Sequence, residues 1–255
     1  MTSNKKGDDI RFRYHAPVPN FYKIKNPENP LKTISNDSLN EFEEEVLKKG
    51  FSGFCYSTLD EEDYSKFQND YKYVIILKFP ITPSILEMEP SREKYKCMDD
   101  EFQDVAKSLF DLCDYLREQG FSCELVNPLA DDMSLRALAI KSNEAVITRS
   151  NMCLFEDGLT MCIFAIACSI ENLPFKKSNE LLWVRDYCSM CGKCIEICPY
   201  GAYDENEQLI PRKCRAHNEG CSECMTICPF FKKDINTVKL KYKLKINKLA
   251  ERGLL

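Results

Sequence analysis

The chain has 255 residues, 44% of them hydrophobic and 29% charged, with a formal net charge of −5. That length admits one large domain or a domain plus a smaller one, the composition excludes wholesale disorder, and the acidity argues against a general nucleic-acid binder. The polar start MTSNKKGDDIRFRYH shows no secretory signal, and the longest apolar run, 159–170, has twelve residues where a membrane span needs about 20. A soluble, cytoplasmic protein with no membrane partner is therefore expected.

Residues 1–35 hold Pro17, Pro19, Pro27 and Pro30 without helical or strand periodicity, which predicts an extended arm able to wrap the body. Asn36, Asp37 and Ser38 offer a helix cap, Leu39, Phe42, Val46 and Leu47 form one helical stripe, and Gly50 ends it. Strands are expected over 51–58 and over 73–79 (YVIILKF). Asp99 and Asp100 open a second helix whose face carries Phe102, Val105, Leu109, Leu112 and Leu116, ending at Gly120. A strand over 121–126, a short helix over 134–142 and strands over 145–148 and 161–170 follow. Helices and strands thus alternate up to about Trp183, as in a layered α/β or α+β domain over 36–183.

Fifteen cysteines are the outlier, and eight of them fall between Cys188 and Cys228. The other seven (Cys55, Cys97, Cys113, Cys123, Cys153, Cys162 and Cys168) sit in apolar surroundings and read as small buried hydrophobes. Cys188, Cys191, Cys194, Cys198 and Pro199 spell C-x2-C-x2-C-x3-C-P, the bacterial ferredoxin spacing for a [4Fe–4S] cluster. Zinc sites use paired knuckles instead of three cysteines in seven residues followed by Cys-Pro. Cys214, Cys221, Cys224, Cys228 and Pro229 form a second half that ends the same way. This pseudo-repeat predicts a ferredoxin-like module over 184–231 with two [4Fe–4S] clusters and crossed ligation. Cys188, Cys191, Cys194 and Cys228 hold one cluster, and Cys198, Cys214, Cys221 and Cys224 hold the other. His217 and His15 match no ligand pattern and read as structural. Trp183, just ahead of the module, is expected at the seam between domains.

A layered domain followed by CSMCGKCIEICPYGAY, PRKC and GCSECMTICPF resembles the epoxyqueuosine reductase and reductive dehalogenase superfamily. Arg136 to Lys141 (RALAIK), with Ile147 and Arg149 beyond it, is similar to a second segment of those enzymes. Leu173-Pro174 resembles the approach to their module. The resemblance implies a nitroreductase-like layered domain that binds cobalamin or a related corrinoid, fed with electrons by the two clusters. It also implies anaerobic redox chemistry on a small substrate or a modified nucleoside. On that basis Asp132 or Asp131 is the proton donor, although either also suits a helix cap ahead of Ser134. Arg149, Ser150 and Asn151 contact the cofactor. The family's glycines are replaced here by Asn143, Ala145 and Thr148.

Two functional classes stay open at this point. One is a corrinoid-dependent reductase supplied by ferredoxin or flavodoxin. The other is a non-enzymatic electron-transfer protein or reductive activator that serves a protein partner. From Pro229 to Leu255 there are eight Lys/Arg and two Asp/Glu. This basic tail, 232–255, reads as a docking arm for an acidic protein or RNA, or as a solvated terminus.

Overall fold

The computed structural model describes residues 21–67, 69–126, 134–160 and 162–253. In chain order the elements are α1 (Asn36–Lys48), β1 (Gly53–Thr58), β2 (Tyr73–Phe79), α2 (Pro83–Leu86), α3 (Arg92–Glu118) and β3 (Cys123–Leu125). They continue with α4 (Leu135–Lys141), β4 (Val146–Ile147), β5 (Cys153–Phe155), β6 (Gly158–Thr160) and β7 (Cys162–Cys168). The cysteine-rich part holds α5 (Trp183–Cys191), α6 (Lys193–Glu196), α7 (Ala216–Glu219), α8 (Glu223–Thr226) and α9 (Pro229–Lys232), and α10 (Ile235–Glu251) follows.

The main sheet is antiparallel throughout, in the order β1-β2-β7-β3. The expected mixed layered architecture is thus present in its α+β form. In β2 the unbroken apolar run is explained by burial on both faces. Ile75 and Leu77 meet α1 and α3 in a core with Phe42, Val46, Leu112 and Leu116. Val74 and Ile76 meet Leu138, Ala139, Cys153 and Phe155 on the opposite face. Each such fully buried aliphatic side chain contributes about 1.5–3 kcal/mol. A second sheet, β4-β5-β6, covers this opposite face and carries the module against its outer side. Lys78 of β2 reaches into the β5–β6 turn, pairs with Asp157 and lies over the Phe155 ring.

Two expectations are corrected and one element is added. The long helix starts at Arg92, ahead of Asp99, because Ser91 caps it by accepting the Lys94 N–H (3.0 Å). The strand expected over 161–170 is present as β7, and the hairpin β5–β6 ahead of it is the added element, its turn permitted by the φ of 143° at Gly158. The segment read as a basic tail is largely helix. Asp234 caps α10 by accepting the Thr237 N–H (2.8 Å), Val238 is buried, and Tyr242 stacks on Trp183. Residues 21–35 run as an extended arm along α3, where Asp114 accepts the N–H groups of Lys23 (2.9 Å) and Ile24 (3.1 Å). Among the described residues, no helix is long and apolar enough to cross a membrane.

Candidate metal centre

Short helices bring the eight module cysteines together. Gly192 takes a left-handed conformation (φ 65°) that ends α5 and begins α6, so the first three cysteines stand on one tight turn. Pro229 opens α9 directly after Cys228. The thiols segregate into two sets. Cys228 is raised to about 11 by burial first, and the thiols it feels are Cys188, Cys191 and Cys194. Cys224 is raised to about 12 by burial first, then by Cys214 and Cys221, with Cys194 and Cys198 farther down. Burial raises Cys221 as well, and its thiol neighbours are Cys214 and Cys198. The crossed ligand sets expected from spacing remain a proposal about these eight thiols.

The surroundings suit bound thiolates. Backbone N–H groups point at four of the sulfurs: Arg149 at Cys188, Ala202 at Cys198 (3.4 Å), Glu223 at Cys221 and Phe230 at Cys228. The buried Tyr203 hydroxyl has no oxygen or nitrogen partner among the described residues, and the Cys194 thiol lies beside it. Cys188, Cys191, Cys194 and Cys228 together line one small void, with Tyr187 and Phe230. No three described His, Cys, Asp or Glu side chains converge on a single ion-sized point. The first set instead encloses a space, as a cube ligated at its corners requires. The first donor set therefore fits an iron–sulfur cluster, and cluster assembly must displace protons from the buried thiols.

Each set lies in its own seam with the layered body. Beside the first, Trp183 packs on Tyr187 (6.1 Å between ring centroids), Phe230 (5.8 Å) and Tyr242 (5.5 Å, stacked), over the buried Val146 and Leu154. Trp183 is thus a seam residue, as expected. Beside the second, α3 abuts α7. Ser91 donates its N–H to the Glu219 carbonyl (2.8 Å), and Gly220 (φ 62°) leaves no room for a Cβ, which would lie 3.0 Å from the Tyr95 nitrogen. Lys94 is wholly buried there. Its Nζ donates to the carbonyls of Leu86 (2.8 Å) and Met88 (2.7 Å) and to Ser222 Oγ (2.7 Å).

An open cleft of about 350 Å³ adjoins Cys188, lined by Thr148, Arg149, Asn151, Arg185, Glu207 and Gln208. The structure thus brings Arg149 and Asn151 to the first set. It also brings Ser150 to the first set, buried beside those four cysteines with its hydroxyl meeting Thr148 Oγ1 (2.9 Å). Asp131, Asp132 and His15 lie outside the described residues, as does the side chain of His217. The corrinoid-contact expectation meets three obstacles. Arg149 is already ion-paired with Glu207. Asn143 keeps a left-handed turn (φ 61°), but its side chain fills the place of a glycine and donates to the Lys176 carbonyl (3.0 Å). The cleft volume suits a drug-sized ligand, and a corrinoid with its amide arms is larger. The residues in place therefore do not fit a corrinoid in this cleft.

Lys94, Ser222 and Tyr203 are absent from the sequence-based site. Tyr203 carried a signal, since it closes the CPYGAY run, whereas nothing in the sequence marks a lysine 127 positions before Cys221.

Residues 181–204 match the model of the 4Fe-4S binding domain family. A 47-residue stretch is 43% identical to an epoxyqueuosine reductase of Bacillus anthracis, covering 18% of this chain and 12% of that protein. Two solved structures share the fold. One, titled for a mechanism of B12-dependent dehalogenation, superposes with a TM-score of 0.67 at 11% identity, over 90% of this chain and 37% of that one. The other is a catabolic reductive dehalogenase, NpRdhA, in complex with 3-bromo-4-hydroxybenzoic acid. Its TM-score is 0.62 at 12% identity, over 74% of this chain and 31% of that one. The chain thus spans about a third of the length of these structures. The resemblance read from the cysteine module is borne out, the layered body has the reductive dehalogenase fold, and the first half of the module matches an iron–sulfur domain.

Proposed function

We propose that this chain is an iron–sulfur oxidoreductase with two [4Fe–4S] clusters, which hands single electrons to an acceptor seated in the cleft beside Cys188. The observation that carries this reading is the convergence of Cys188, Cys191, Cys194 and Cys228 on one void that adjoins an open, polar cleft. When bound, such clusters supply reversible one-electron transfer at low potential. The chain's own residues do the rest. The Arg149 N–H supports Cys188, while Glu207 holds the Arg149 guanidinium at the cleft wall. Tyr203 presents its hydroxyl to Cys194, between the two thiol sets. Trp183, Tyr187 and Phe230 exclude water from the inner side of the first set, leaving the cleft as its polar approach. Arg185, Gln208 and Asn151 offer charge and hydrogen bonds to a small polar acceptor.

A corrinoid-dependent reductase is the second reading. It is favoured by the fold match over 90% of the chain to the structure titled for B12-dependent dehalogenation. Anaerobic iron, sulfide and cobalt quantification on protein expressed with cobalamin separates the two. The expected result is about eight irons and no cobalt per chain. One cobalt per chain would establish the second reading, and about four irons would remove the second cluster from the proposal.

A further inference from the structure

We infer that the outer face of α10 is a docking surface for a small acidic electron-carrier protein, an inference that rests on the redox reading above. Leu240, Lys241, Leu244, Lys245 and Lys248 are spaced three and four apart on the side of α10 away from the module. Leu240 and Leu244 are 60% and 53% exposed, which is unusual for two neighbouring leucines on one helix. Lys233 stands close enough to Lys241 that the Lys241 charge disfavours that of Lys233. An anionic partner relieves that repulsion, and the rest of the chain is acidic overall. The inner face of the same helix points at the redox centre. Tyr242 stacks on Trp183, Trp183 meets Tyr187, and Tyr187 lies against Cys191, Cys228 and Cys188. A carrier seated on α10 is therefore separated from the first thiol set by one helix and one aromatic layer. In the step itself the reduced carrier loses one electron and the chain gains it, with no bond made or broken. An RNA would also find the lysines, but the exposed leucine pair and the aromatic path inward favour a redox protein.

The test uses the reconstituted full chain after its iron content has been measured. Stopped-flow rates are recorded with a reduced acidic two-[4Fe–4S] ferredoxin, and with dithionite as a small reductant. The variant Lys241→Glu/Lys245→Glu/Lys248→Glu is expected to slow the ferredoxin reaction at least tenfold at low ionic strength and to flatten its salt dependence. The dithionite rate stays at the parent value. Leu240→Ser/Leu244→Ser is expected to slow the ferredoxin reaction while leaving its salt dependence in place. A triple variant with full iron and the parent ferredoxin rate overturns the docking surface. So does one that loses affinity for a tRNA-sized RNA while the ferredoxin rate holds. A chain that takes up no iron overturns the redox reading beneath it, so the two failures are distinct.

An independent observation at the other seam assigns Lys94 as the counter-charge of the Cys198, Cys214, Cys221 and Cys224 set. Its three hydrogen bonds all go to neutral acceptors, and among the described residues it has no ion-pair partner within contact. Of the anionic groups whose field reaches it, Cys221 is the strongest, followed by Glu223 and Glu89. A buried cation with neutral partners is costly unless a nearby anion compensates it, and a thiolate-ligated cluster supplies one. In Lys94→Met, redox titration followed by electron paramagnetic resonance is expected to show one midpoint shifted negative and the other unmoved. Unchanged midpoints at full iron content overturn the assignment. Should Lys94→Met fail to hold iron, Ser222→Asp sets a carboxylate beside the retained lysine and is expected to shift the same midpoint negative. An unmoved midpoint in that variant also overturns it.

Discussion

The two cysteine sets have the same ligands but different neighbours. At the first, the nearby cation is Arg149, and Glu207 pairs with it at the rim of an open cleft. At the second, the nearby cation is Lys94, sealed from solvent and bonded only to carbonyls and a hydroxyl. An ion-paired charge at a wet rim has a weak field, while an interior charge without a contact ion pair has a strong one. On the two-cluster proposal, this difference makes two chemically equivalent clusters electrostatically unequal, with the second favoured to hold the electron.

The largest expected effect separates the two sets outright. Cys198→Ala removes one ligand of the second set and is expected to leave about four of eight irons, with the layered body still folded. Iron analysis and circular dichroism check this, and loss of all tertiary structure would show that body and module do not stand apart. Next comes Gly220→Ala. The left-handed φ and the 3.0 Å approach to the Tyr95 nitrogen together are expected to cost about 2 kcal/mol, read by denaturant unfolding. Iron should leave the second set before the first. Arg149→Gln sharpens the contrast with Lys94. Because Glu207 already offsets the arginine, its midpoint shift should be smaller than that of Lys94→Met in a parallel redox titration.

The smallest effect lies away from both seams, where Lys23 and then Lys49 hold the Asp111 carboxyl below its usual range. A depressed carboxylate contributes stability that is complete above its unfolded pKa and is lost as pH falls through the lower folded value. Asp111 is a third exposed, so solvent screening keeps this to about 0.5 kcal/mol. Asp111→Asn should lower the urea midpoint slightly at pH 7 and leave it unchanged at pH 2.

The sequence made the local features legible. The run over 73–79, the stripe ending at Leu116 and the short helix over 134–142 each follow from local pattern, and the structure places them accordingly. Long-range packing was not legible. Lys94 meets Ser222 only because α3 begins at Arg92, and the first turn of that helix has no apolar stripe to announce it. The basic segment looked like a tail because its inward residues, Val238 and Tyr242, are outnumbered by lysines. Of the seven other cysteines, Cys55, Cys113, Cys123, Cys153 and Cys168 are buried as expected, while Cys97 and Cys162 are only partly so.

The most direct test of the central claim is a redox titration of the fully reconstituted chain, followed by electron paramagnetic resonance. Two waves with separate midpoints are predicted, the more positive one being the wave that Lys94→Met moves. A single wave from a chain holding about four irons would contradict the account.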